Sequence, residues 1–224
     1  MLTDSSALKN DFLVTIQVTL SNGTTESYHI QHSVLKNASP YFSAALSERF
    51  REGQTRALSF PGAQPEVVLG FLHWLITGTI PFGDLVKWPE DEQIDLDAYR
   101  QRIMLLAVRL WTFGDEHLLP KLQNAAMREL HHLMQRSYPT AQAVREAYEG
   151  SPPKSVLRRA LVRDVAESWV IRRQASDFPA NVIGQLAALE GFTEDFLEVL
   201  DPVVRKDVLV SADPNGADAY MVGT

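Results

Sequence analysis

His32-Ser33-Val34-Leu35-Lys36-Asn37-Ala38-Ser39-Pro40-Tyr41-Phe42, HSVLKNASPYF at residues 32–42, changes character three times in eleven residues. A histidine leads a short apolar group, Asn-Ala-Ser interrupts it, and Ser39-Pro40 opens a second group headed by two aromatics. Two helix starts this close together explain the punctuation, because each must satisfy its unpaired backbone N–H groups. Ser33 is expected to cap a short helix through Val34 and Leu35. Ser39 and Pro40 form an N-cap and first-turn pair for a second helix from Tyr41.

Upstream of this corner, VTIQVTL (14–20) alternates, with Val14, Ile16, Val18 and Leu20 on one face, the period of a half-buried strand. Asn22-Gly23 supplies a tight turn, and TESYHI returns as a second strand with Tyr28 and Ile30 inward. Asn22-Gly23-Thr24 is also a glycosylation sequon, but the turn reading is preferred because that chemistry requires secretion. Downstream, TRALSF (55–60) is expected as a third strand with Leu58 and Phe60 inward. PEVVLGFLHWLITG follows as a helix that buries Val68, Phe71, Leu72 and Leu75 and ends at Gly78.

GDLVKWPEDEQIDLD (83–97) is strongly acidic and is expected as an exposed, inserted loop. Helical patterning resumes in AYRQRIMLLAVRLWTF and stops at Gly114, and a further helix runs from Pro120 to about Gln135. Four more helical segments follow: PTAQAVREAYE, SVLRRALVRDVAESWVIRRQ, PANVIGQLAALE and TEDFLEVLDPVV. The fold class is therefore α+β, a small sheet flanked by helices and then an α-helical extension. Residues 1–10 and 211–224 are expected to be flexible tails.

Composition narrows the function. The 224 residues are 45% hydrophobic and 22% charged, and no apolar run approaches the ~18 residues that span a bilayer. No cysteine is present, which removes disulfides, thiolate nucleophiles and cysteine-bearing zinc sites. The start lacks the basic flank and apolar core of a secretory signal, so the expected compartment is cytoplasm or nucleus. A net charge of -7 argues against nucleic acid as a partner, since that affinity rests on Lys and Arg neutralising phosphates, and points to protein.

In order and spacing, the hairpin, His32, Leu35, Ser39, Tyr41, Phe42, the third strand, Pro65, Glu66, Thr77 and Gly78 resemble the BTB/POZ domain. The domain is read at 11–135 and the helical extension at 136–210. The stretch AYEGSPPKSVLRRALVRDVAE is similar to the extension of many filamentous-fungal members. The resemblance implies a non-catalytic protein-protein interaction module. Ile76 departs from the family's usual tyrosine, and the short segment before the first strand lacks the arm that dimeric animal members exchange. The expectation is a monomer, or a dimer through another surface such as the Pro65–Thr77 helix.

Within the family, members that bind cullin scaffolds carry a hydrophobic-x-acidic triplet between the Tyr-Phe helix and the next strand, and Phe50-Arg51-Glu52 falls there. The resemblance implies Phe50 and Glu52 as protein-binding residues of a cullin-type ubiquitin-ligase adaptor; Phe50 as local core is the competing reading. Self-association or a transcription-corepressor scaffold is the alternative function, and an enzyme with an unrecognised site is the remaining one. None of the common nucleotide, hydrolase or metalloprotease motifs occurs, so no catalytic residue, cofactor or metal is expected.

His29 and His32 point to opposite sides of a strand end, and His131 and His132 lie about 100° apart on a helix, poor metal geometry in both cases. For His32 the family implies ring nitrogens that tie backbone groups together. Between Ser151 and Ala175, Lys154, Arg158, Arg159, Arg163, Arg172 and Arg173 face only Asp164 and Glu167. The preferred reading is a solvated face opposite the apolar Val156, Leu157, Ala160, Leu161 and Val165; the alternative is a dock for an acidic partner or for the acidic 83–97 stretch.

Overall fold

The computed structural model describes residues 11–20, 22–87, 95–171, 180–204 and 221–223. They gather into two compact units: residues up to Pro81 with Glu116–Leu119, and Phe82–Asp115 with the residues from Pro120 onward. The fold is α+β.

The first unit runs β1 (Leu13–Thr19), β2 (Thr25–Gln31), α1 (His32–Ala38), α2 (Pro40–Ala45), α3 (Arg51–Thr55), β3 (Ala57–Ser59) and α4 (Pro65–Thr77). Its sheet has the order β2-β1-β3. β1 pairs antiparallel with β2, setting Val14 opposite Ile30, and parallel with β3, setting Ile16 opposite Leu58. Alternation therefore buries Val14, Ile16, Val18, Ile30 and Leu58 together. Apart from the exposed Leu13, the opposite face of the hairpin is polar, with Thr15 bonded to the His29 ring and Thr19 to Thr25.

The hairpin closes as its residues dictate. Gly23 takes φ +83°, and the Asn22 Oδ1 accepts from the Thr24 N–H at 3.0 Å. Tyr28 is only half-buried, its hydroxyl donating to the Glu26 carboxylate on the same strand face.

At the 32–42 corner one expected cap is present and the other is replaced. Ser39 accepts from the Phe42 N–H at 3.2 Å, with Pro40 in the first turn. Ser33 does not cap α1, which already begins at His32 with Gln31 as its N-cap. Instead Asp11 accepts from both the Ser33 N–H, at 3.0 Å, and the Ser33 hydroxyl. The hairpin register causes this: Leu13 lies opposite Gln31 and the His32 N–H bonds Phe12 O, so a carboxylate, a stronger acceptor than a hydroxyl, arrives at the helix start.

Helix α4 buries Val67, Val68, Phe71 and Leu72 and stops where Gly78 adopts φ +76° and donates to Trp74 O. Leu75 is half-buried rather than core. Phe42, fully buried, stacks on Phe71 at 5.5 Å and on His117 at 5.9 Å, with Phe60 set edge-on at 6.3 Å. Phe60 is half-buried, its ring turned into this cluster.

The second unit holds α5 (Phe82–Leu85), α6 (Leu96–Glu116), α7 (Pro120–Met134), α8 (Ala141–Gly150), α9 (Val156–Ile171), α10 (Ala180–Leu186) and α11 (Phe192–Val204). The acidic stretch differs from the expected loop at both ends. Residues 82–85 form a helical turn, and Asp95 caps α6 by accepting from the N–H groups of Asp97 and Ala98 at 3.0 and 3.2 Å. Residues 88–94 lie outside the described residues. Carboxylates at a helix start are favoured by the unpaired N–H groups and dipole there. Helix α6 passes through Gly114, which is buried, and ends at Glu116; a single interior glycine costs only about 1 kcal/mol. The expected tails at 1–10 and 211–220 lie outside the described residues.

Candidate protein-binding surface

The segment between α2 and β3 is a compact, self-bonded turn. The Phe50 N–H bonds Ser47 O, the Gln54 N–H bonds Phe50 O, both at 3.1 Å, and the Gln54 side chain donates to Glu48 O at 3.0 Å. Gly53 brings α3 against the preceding turn so tightly that a Cβ there would sit 2.1 Å from Ser47 O. At the far end Arg56 closes α3 in the left-handed region at φ +54°, its guanidinium 4.2 Å over the Phe12 ring. Phe12 in turn stacks on His32 at 4.3 Å.

Phe50 occupies the N-cap position of α3 in extended backbone and is 52% exposed. Arg51 is exposed and Glu52, in the first turn, is half-buried. The reading of Phe50 as local core is thereby corrected: the turn bonds use its backbone, and its ring faces solvent. A large aromatic held outward on a short braced segment, beside a carboxylate and a guanidinium, has the composition of a protein-docking anchor. Nearby in sequence, Tyr41 is also exposed, its ring edge-on to His117 at 4.8 Å.

The other sequence landmarks separate cleanly. Leu35, Ser39 and Phe42 are buried, whereas Tyr41 is exposed. Thr77 and Thr79 share hydrogen bonds with His73 around the end of α4. The His32 ring stacks on Phe12, and among the described residues no hydrogen bond joins its nitrogens to backbone; its backbone N–H bonds Phe12 O.

A model of the BTB/POZ domain matches residues 6–99. Residues 6–99 are a BTB/POZ domain. The match takes in the whole sheet, the 32–42 corner, Phe50-Arg51-Glu52 and α4, and ends inside α6. Neither the curated proteins nor the solved structures contain a match to the chain. A BTB/POZ domain implies a protein-protein interaction module over residues 6–99, and such domains are typically non-catalytic.

Among the described residues no three His, Asp or Glu side chains are placed to hold a metal ion, and no helix is long and apolar enough to cross a membrane. His29 bonds Thr15 across the hairpin, and His131 and His132 bond Gln135 and Arg136 one helical turn on.

The basic segment is not one solvated face. Leu157, Ala160, Leu161 and Val165 are buried as the spacing requires, and Val156 is half-buried. Arg158 is buried with them at 7% exposure. Its Nη2 donates to the Tyr148 and Ser151 carbonyls, and its guanidinium lies 4.5 Å over the Tyr148 ring. A cation at the C-terminal end of α8 satisfies carbonyls that the helix leaves unpaired. Arg163 pairs with Glu167 at 2.8 Å. Arg172 and Arg173 lie outside the described residues.

Sequence reasoning missed Asp11, Gly53 and His117, and placed Arg158 on a solvated face. Asp11, His117 and Arg158 act on residues of other elements, and Gly53 acts within its own tight turn. Only Arg158 left a trace, a charge on the apolar side of an amphipathic helix.

Proposed function

We propose that the chain is a cullin-type ubiquitin-ligase adaptor whose scaffold-binding surface is built on Phe50 and Glu52. The observation that carries the reading is Phe50: an aromatic over half exposed, on a segment braced by Gly53 and by the Arg56–Phe12 contact. The aromatic supplies contact area and the carboxylate supplies orientation, a division of labour common in hot spots. In this reading the domain occupies 11–135, and the helical extension of the filamentous-fungal type, 136–210, leaves its outer faces for a client. The site of action is cytoplasm or nucleus.

Self-association or a corepressor scaffold is the second reading. Ile76 favours it, standing 68% exposed near the end of α4, where a second copy could cover it. Titration of the purified full chain with a cullin N-terminal region, followed by light scattering, separates the two. Saturable one-to-one binding supports the adaptor. A dimer without cullin affinity supports the alternative.

A further inference from the structure

Asn124 lies on α7 with 6% of its surface exposed. Its Nδ2 donates to Val222 O at 3.0 Å, and its Oδ1 accepts from the Val222 N–H at 2.7 Å. One side-chain amide thus takes up both backbone groups of one residue, as a neighbouring strand would. Among the described residues the Asn124 side chain has no other hydrogen-bond partner. Met221 and Val222 are half-buried there and Gly223 is exposed.

A buried amide on the core side of a helix is costly unless its donor and acceptor are both satisfied. With 221–223 removed, Asn124 would lose both bonds together with the segment that covers it. Its amide would then need another backbone, or water, on the same face of α7. The recognition is of backbone, so any residue with an N–H can pair with Asn124; the half-buried Met221 and Val222 side chains favour apolar residues there.

We propose that Asn124 is a peptide-backbone seat on the helical unit, that residues 221–223 occupy it in cis as a strap, and that the seat accepts a separate extended apolar peptide once the strap is dislodged.

The test uses the full chain. In wild type the Val222 amide should exchange with solvent about tenfold or more slowly than the Gly223 amide, and Asn124→Ala should abolish the difference. Val222→Pro deletes the N–H from the strap without touching α7. It should leave the helical unit folded, and the synthetic hexapeptide Ala-Tyr-Met-Val-Gly-Thr should then bind and shift the Asn124 side-chain NH₂ resonances. The double variant Asn124→Ala/Val222→Pro should not bind it. Equal exchange at Val222 and Gly223 in wild type would show that no strap is seated. A folded Val222→Pro chain that ignores the hexapeptide would show that the seat takes water instead, and would overturn the separable site.

Discussion

Both units bury apolar and aromatic side chains, but they use polar groups differently. In the first, the interior is apolar and aromatic: the sheet's inner face and α4 enclose Phe42, Phe71 and His117 in stacked contact, while polar groups work at corners, as Asp11 does at α1. In the second, polar side chains reach between helices. Arg109 grips Glu146 through Nε and Nη2 at 2.6 and 2.7 Å, Tyr148 donates to Asp195 at 2.7 Å, and Arg158 closes the end of α8. A short sheet with braced turns can hold an aromatic such as Phe50 in solvent. A helical bundle with hydrogen bonds between helices is specified by fixed partners, and so by substitutions that remove them.

The largest effect should come from breaking the first kind of interior. Phe42→Ala removes a fully buried ring from the centre of the cluster and should destabilise the chain by about 3–5 kcal/mol, read by denaturant unfolding. Arg158→Met tests the second kind. It keeps much of the apolar stem but leaves two carbonyls without their charged donor, and should cost about 2–3 kcal/mol. A near-neutral result would mean that α8 needs no cation at its end.

Glu146 gives the second unit's polar contacts a pH signature. Burial pushes its carboxyl up, but the hydrogen bonds from Arg109 and Gln142 and the Arg109 charge outweigh burial and hold it below the ordinary value of 4.5. A depressed folded value means that its contribution is fully present above 4.5 and is lost as pH falls through the folded value. Glu146→Gln should cost about 1 kcal/mol near neutrality and show a shallower loss of stability on acidification than wild type. Parallel acid limbs would remove Glu146 from the account.

What could be read in advance divides along the same line. The strands, the Ser39-Pro40 start and the Gly78 stop were legible because period, cap and turn chemistry act within a few residues. The Ser33 cap misled because its real partner, Asp11, lies across the hairpin, 22 residues away. The acidic stretch misled because Asp95 reads as loop composition until a helix start is placed behind it. Arg158 counted as one more surface cation because its acceptors are carbonyls of another helix, which leave no mark in composition. The position of Phe50-Arg51-Glu52 was legible through family resemblance, but whether the ring faced inward or outward was not, since the backbone bonds of the 46–55 turn decide it.

The smallest expected effect on stability belongs to the residue on which the function rests, and the most direct test pairs two readouts on Phe50→Ala. Unfolding stability should change by no more than about 0.5 kcal/mol, as for an exposed side chain. Affinity for the cullin N-terminal region should fall by more than about 1 kcal/mol, roughly fivefold or more, with Glu52→Ala weakening it in the same direction. Wild-type affinity retained by Phe50→Ala, or no measurable binding by the wild-type chain, would contradict the adaptor account.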